Sequence, residues 1–134
     1  MEKSNVSGRA ILFGEDDKDD EEFLTEVFTK VDKSLTTQFV NNGLKLIPTL
    51  LEMESSLPCL IVLDYNMPGL NAAEILEELK QYPKYDYIPK IIWSTSGSET
   101  YRKLCLDLGA CEYLIKPNNM SGLEEAARLM LSYC

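Results

Sequence analysis

Leu60-Ile-Val-Leu-Asp-Tyr-Asn-Met-Pro-Gly69 is the stretch on which the fold turns. Leu60 to Leu63 are apolar without alternation, the pattern of a parallel strand covered on both faces. Asp64 follows at once. An acid placed directly after such a run, at the mouth of a central strand, reads as functional and not as decoration.

Outward from this segment, short β-rich runs alternate with longer stretches of helical period. The strand candidates are Ala10 to Phe13, Thr36 to Val40, Cys59 to Leu63, Lys90 to Trp93 and Glu112 to Ile115, four of them nearly continuous apolar runs. Between and after them, apolar residues recur at the i, i+3, i+4, i+7 spacing of one helical stripe. The sets are Leu24, Val27, Phe28, Val31; Leu44, Ile47, Pro48, Leu51; Ala72, Ile75, Leu76, Leu79; Tyr101, Leu104, Cys105, Leu108; and Leu123, Ala126, Ala127, Met130. Gly109 stands where a glycine closes the fourth helix, and Ser121 with Glu124 forms a possible capping box for the fifth. Pro48 removes a backbone donor inside the second helix, which should start late or kink.

Five βα units with short loops and right-handed crossovers predict an α/β fold. The expected form is a flavodoxin-like doubly wound (βα)5 sandwich, a five-stranded parallel sheet in the order 2-1-3-4-5. At 134 residues the chain is expected to be a single domain, residues 1–134, with no output domain. Its core should span about residues 9–133, and a chain of this size buries roughly two thirds of its unfolded surface.

Composition narrows the function. Hydrophobic residues at 45% and charged ones at 26% are globular proportions and exclude disorder. No apolar stretch approaches the ~20 residues of a membrane span, and Met1 to Ala10 has no hydrophobic signal core, so a cytoplasmic protein is expected. With 22 acidic against 13 basic residues and a net charge of −9, direct nucleic-acid binding is disfavoured. The absence of histidine removes Ser-His-Asp and Cys-His nucleophile systems and the usual zinc ligands. Cys59, Cys105, Cys111 and Cys134 include no Cys-x-x-Cys pair and read as buried thiols, not as a metal or redox site.

Ligands of open parallel sheets bind outside the carboxyl ends of the strands. After the first strand come Glu15, Asp16 and Asp17; after the third, Asp64; after the fourth, Ser94 and Thr95; after the fifth, Lys116. Two unit charges about 4 Å apart repel by about 4 kcal/mol at an effective dielectric near 20, so clustered carboxylates call for a cation. All-oxygen ligands without histidine or thiolate select magnesium, manganese or calcium, and a site keeping positions for waters and a phosphate is most like magnesium. Asp17, Asp19, Asp20, Glu21 and Glu22 read as a solvated helix start whose acids offset the helix dipole. Lys116 and the Ser94 hydroxyl suit the oxygens of a phosphoryl group.

These residues resemble the receiver domain of bacterial two-component response regulators, in its single-domain, chemotaxis-regulator-like form. The matching pieces are Ala10-Ile-Leu-Phe-Gly-Glu-Asp-Asp17, Leu60 to Gly69, Ile88-Pro-Lys-Ile-Ile-Trp-Ser-Thr-Ser96 and Gly109-Ala-Cys-Glu-Tyr-Leu-Ile-Lys-Pro117, in order along the whole chain. The resemblance implies that Asp64 is the phosphoacceptor, taking its phosphoryl group from a sensor histidine kinase or histidine phosphotransfer protein. It implies a Mg2+ site, with Mn2+ a plausible substitute, made by Glu15, Asp16, Asp64 and the backbone carbonyl of Asn66. Lys116, Ser94 and the Thr95 backbone amide would bind the phosphoryl group. Ser94 and Tyr113 would form the switch, Lys116-Pro117 would be a cis peptide, and the fourth helix, fifth strand and fifth helix would contact a downstream protein.

So read, the chain is a signalling protein and not an enzyme beyond self-phosphorylation and self-dephosphorylation, and without histidine its donor must come from outside. The alternative is a phosphorylation-independent pseudo-receiver acting as a protein-binding module. A haloacid-dehalogenase-type phosphatase would want a second acid two residues after the nucleophile, where Asn66 stands. Glu15 occupies a position where many receivers have Asp, and because Gly14 interrupts the first strand, Asp16 with Asp17 remains an alternative acid pair.

Overall fold

Successive residues of the inner strands point into two different cores. In the computed structural model, which describes residues 9–134, the strands are β1 (Ala10–Gly14), β2 (Thr36–Val40), β3 (Leu60–Asp64), β4 (Lys90–Ser94) and β5 (Glu112–Ile115). All neighbours pair in parallel, in the order β2-β1-β3-β4-β5, which is the flavodoxin-like arrangement the sequence predicts. Leu12, Ile61, Leu63 and Ile92 belong to one core, and Ile11, Phe13, Val62, Ile91 and Trp93 to the other. A two-residue period with both faces covered requires an apolar side chain at every position, which is why these strands read as unbroken runs. The reading of Met1 to Ala10 as lacking a signal core falls, up to residue 8, outside the described residues.

Helices α2 (Leu46–Glu52), α3 (Ala72–Leu79) and α4 (Glu99–Asp107) cover the first face, and α1 (Lys18–Val31) and α5 (Met120–Ser132) the second. The second helix starts late, as Pro48 requires. A tighter 3-10 turn over Gly43–Lys45 precedes α2, and Pro48 falls in the first turn of the helix, where its missing N–H has no intrahelical acceptor to serve. That turn also shifts the helical phase, so Leu44 and Leu51 are exposed and the buried face is Leu46, Ile47 and Leu50. In α4 only Cys105 of the expected stripe is fully buried; Tyr101 and Leu104 are exposed because the helix lies over β5, the edge strand, with little sheet to cover.

Gly109 closes α4 with φ +111°, a conformation that favours glycine. The fifth helix departs from expectation at its start. Asn119, not Ser121, is the cap, its side chain accepting the Gly122 amide at 2.7 Å, so Ser121 already lies in the first turn. Asn71 and Glu74 make a reciprocal capping box that opens α3. Gly14 stays within β1, where a Cβ would come within 2.6 Å of Met67 Cε.

The cysteines correct the reading of four buried thiols. Cys59 and Cys134 form a disulfide with their Cα atoms 5.0 Å apart, while Cys105 is buried and Cys111 is exposed. The pairing joins residues 75 apart because α5 runs back along the sheet and delivers its last residues beside the start of β3, a closure that spacing alone does not reveal.

Candidate functional site

Strand order reverses direction between β1 and β3, and the crevice at their carboxyl ends is where Glu15 and Asp64 meet. Glu15 is wholly buried and Asp64 nearly so, while Asp16 is exposed. Carboxylate oxygens of Glu15, Asp16 and Asp64 lie within 4.8 Å of one another. Lys116, the residue after β5, reaches across β4 into this cluster. Its Nζ stands 2.9 Å from Asp64 Oδ2, 3.2 Å from Glu15 Oε1 and 2.8 Å from Asp20 Oδ2. The peptide bonds among the described residues are all trans, so the cis bond that the resemblance implied at Lys116-Pro117 is absent. The lysine reaches Asp64 with the trans isomer, which is the lower in energy for X–Pro bonds by about 0.5–1 kcal/mol.

Two more donors hold Glu15. The indole N–H of Trp93 donates to Oε1 at 3.1 Å, and the Asp17 amide donates to Oε2 at 3.1 Å. Asp17 itself caps α1, its Oδ1 accepting the amides of Asp19 and Asp20. The acids that converge with Asp64 are therefore Glu15 and Asp16, and Asp17 serves the helix. Asp20 does not belong to a solvated helix start. It turns inward from the first turn of α1 onto Lys116, and nothing in the sequence separates it from Asp19 or Glu21.

Burial pushes the Glu15 carboxyl up to about 8; the Lys116 charge opposes the shift and the Asp64 charge adds to it. For Lys116 burial acts downward, but hydrogen bonds to Asp20 and Asp64 and the charge of Glu15 outweigh it and hold the ammonium above its ordinary value. One lysine contacts three carboxylates, Glu15, Asp20 and Asp64, and Asp16 stands beside Glu15 and Asp64, so acidic groups outnumber the single cation. An all-oxygen donor set with surplus negative charge and one exposed member, Asp16, open to water fits a hard divalent cation.

The remaining expected residues surround this cluster. The Asn66 amide donates to Asp64 Oδ1 at 3.2 Å, placing the residue whose carbonyl the resemblance assigned to the metal directly beside the acid. Ser94 is buried at the end of β4 and its Oγ accepts the Ser96 amide at 3.0 Å; Thr95 is exposed next to it. The Tyr113 hydroxyl donates to the Ser96 carbonyl at 2.9 Å, so both switch residues hold the same loop. Sequence reasoning missed Asp20 as a partner of the charged cluster, and the position of Trp93 beside Ser94 did not reveal that its indole bonds Glu15. Sequence reasoning also missed Tyr65, whose ring stacks on Tyr101 of α4 with centroids 4.4 Å apart. An aromatic residue directly after Asp64 was the available signal.

Comparison with known proteins accords with this geometry. The family model of the response regulator receiver domain matches residues 11–128, and the chain belongs to that family. The phosphate regulon transcriptional regulatory protein PhoB of Rhizobium meliloti is 31% identical over 81 residues, 60% of this chain and 36% of that protein. The two-component response regulator ARR15 of Arabidopsis thaliana is 33% identical over 72 residues, 54% of this chain and 35% of that protein. The chain thus spans about a third of the length of these curated relatives. Among solved structures, the phosphorylated cyanobacterial phytochrome response regulator RcpA superposes with a TM-score of 0.84 at 28% identity, covering 94% of this chain and 96% of that one. The Mn2+-bound form of response regulator Rcp1 gives 0.80 at 29% identity, covering 92% of each chain. Receiver domains are signalling proteins that bind a divalent metal and are phosphorylated on an aspartate by histidine kinases. No helix among the described residues is long and apolar enough to cross a membrane.

Proposed function

We propose that Asp64 accepts a phosphoryl group from the phosphohistidine of a sensor histidine kinase or a histidine phosphotransfer protein, in a magnesium-dependent reaction. The observation that carries this reading is the 2.9 Å contact of Lys116 Nζ with Asp64 Oδ2 inside the Glu15, Asp16 and Asp64 cluster. Asp64 is the nucleophile: one carboxylate oxygen forms the new O–P bond as the N–P bond of the donor breaks. Lys116, already directed at Asp64, turns to the phosphoryl oxygens and stabilises their charge. Glu15 and Asp16, with Asp64 and the Asn66 carbonyl, would hold Mg2+ or Mn2+, which when bound neutralises charge on the transferring group.

The Ser94 hydroxyl and the Thr95 amide lie at the neighbouring strand end and would donate to the same oxygens. Drawing Ser94 inward pulls on the loop that Tyr113 holds through Ser96, and α4 and β5 follow. Tyr101 and Leu104 of α4, Ile115 of β5 and Leu129 of α5 are exposed, which suits contact with a downstream protein. Incubation with acetyl phosphate, or with beryllofluoride, in the presence of Mg2+ tests the reading. Uptake by the wild type and none by Asp64→Asn is expected; no uptake by the wild type points instead to a phosphorylation-independent pseudo-receiver, and equal uptake by the variant places the phosphoacceptor elsewhere and overturns the reading.

A further inference from the structure

The disulfide lies at the amino ends of the strands, the opposite edge of the sheet from Asp64. Cys59 immediately precedes β3, and Cys134 follows the last turn of α5. Both residues are only half-buried and pack on the margin of the core between the sheet, α1 and α5. Neither end depends on the bond for its hydrogen bonding. The Cys59 amide donates to the Ala10 carbonyl at 2.8 Å, and its Sγ lies 3.3 Å from that carbonyl, an acceptor for the thiol form. The end of α5 is held separately. Tyr133 and Cys134 amides donate to Met130 and Leu131 carbonyls at 3.1 and 3.0 Å, and the Tyr133 hydroxyl donates to Glu112 Oε2 at 2.5 Å. Oxidised and reduced forms therefore both leave a docked helix with satisfied polar groups.

The other two thiols are less suited to the same chemistry. Cys105 is wholly buried on the inner face of α4, away from solvent reagents. Cys111 is exposed and has no second cysteine paired with it, and partial burial together with the Glu112 charge disfavours its thiolate, the attacking form.

We propose that Cys59 and Cys134 form a thiol–disulfide exchange site, a reversible staple that fastens the end of α5 to the start of β3 and takes low-molecular-weight disulfides of the glutathione class as oxidant. The Cys59 or Cys134 thiolate attacks the small disulfide, forming a mixed disulfide and releasing one small thiol. The second cysteine then attacks the protein sulfur of that adduct and releases the other. The two cysteines lose two electrons and two protons; the small disulfide gains both and leaves as two thiols. Closing a loop over 75 residues removes entropy from the unfolded chain and stabilises the oxidised form. The inference is independent of the role assigned to Asp64.

The test uses the whole chain, equilibrated with either glutathione disulfide or dithiothreitol. Oxidation should join the Cys59 and Cys134 peptides in a proteolytic map, remove two thiols from the count under denaturing conditions, and raise Tm by roughly 5–15 °C. Dithiothreitol should reverse all three changes. Cys134→Ala, at the end of α5, should abolish the cross-link and the redox dependence of Tm, and Cys111→Ser should preserve both. A stable glutathione adduct in place of the cross-link, a cross-link through Cys111, or equal Tm in the two conditions overturns the proposal.

Discussion

The indole N–H of Trp93 donates to Glu15 Oε1 at 3.1 Å, a bond between residues 78 apart that ties the only tryptophan to the charged cluster. Lys116 Nζ lies 4.9 Å from the centroid of the same ring. Any cation that engages Glu15, or any anion that draws Lys116 towards Asp64, changes the field on the indole. Trp93 emission should therefore change saturably on titration with Mg2+, and again with beryllofluoride. A flat titration, with binding verified by calorimetry, would refute the coupling.

The buried Glu15 also sets a pH dependence in the metal-free protein. Its folded carboxyl titrates near 8, against an ordinary value of 4.5 once the chain unfolds, so between these values the folded form holds a proton that the unfolded form has lost. Stability contributed by this group then falls as pH rises from about 4.5 through about 8. Urea midpoints measured without metal should decline over this window, and Glu15→Gln should flatten the decline. Saturating Mg2+ at pH 8 should raise the wild-type midpoint, because it binds the folded cluster preferentially.

Lys116 is the only cation within hydrogen-bonding reach of Glu15, Asp20 and Asp64 among the described residues. Lys116→Met leaves Glu15 and Asp64 facing one another uncompensated and should cost about 3 kcal/mol at pH 8 without metal. Asp20→Asn removes a partly exposed acceptor and should cost less than about 1 kcal/mol. Chemical denaturation of the two variants checks the order; equal losses would show that Lys116 is not held mainly by the buried acids.

Two glycines predict opposite tolerances. A Cβ on Gly43 would lie 2.1 Å from the Leu70 carbonyl oxygen, which is backbone and cannot step aside. A Cβ on Gly14 meets the far end of the Met67 side chain, which can rotate. Gly43→Ala should cost about 1–3 kcal/mol by overpacking, and Gly14→Ala clearly less. Thermal unfolding of both variants decides this, and a Gly14→Ala variant as damaged as Gly43→Ala would count against it.

Much of the site was legible because its residues sit at strand ends, and strand ends are marked by where apolar runs stop. Asp64, Glu15, Asp16, Ser94 and Lys116 were found in this way. Helix phase was less legible: the 3-10 turn at Gly43–Lys45 rotates α2, and α4 lies over an edge strand with too little sheet to bury Tyr101 and Leu104. Asn119 and Ser121 are both competent caps, and only the path of the chain after Pro117 selects Asn119.

Local periodicity by itself determined the five strands, the five helices and the parallel sheet, because a strand's burial and hydrogen-bonding needs are written in its own few residues. Strand order then brought the acids to one edge. The tertiary structure alone decided that Trp93 holds Glu15, that Asp20 turns onto Lys116, and that Cys134 returns to Cys59. Each of these contacts joins positions far apart in sequence, and its geometry depends on how helices and strands pack, which no local pattern encodes.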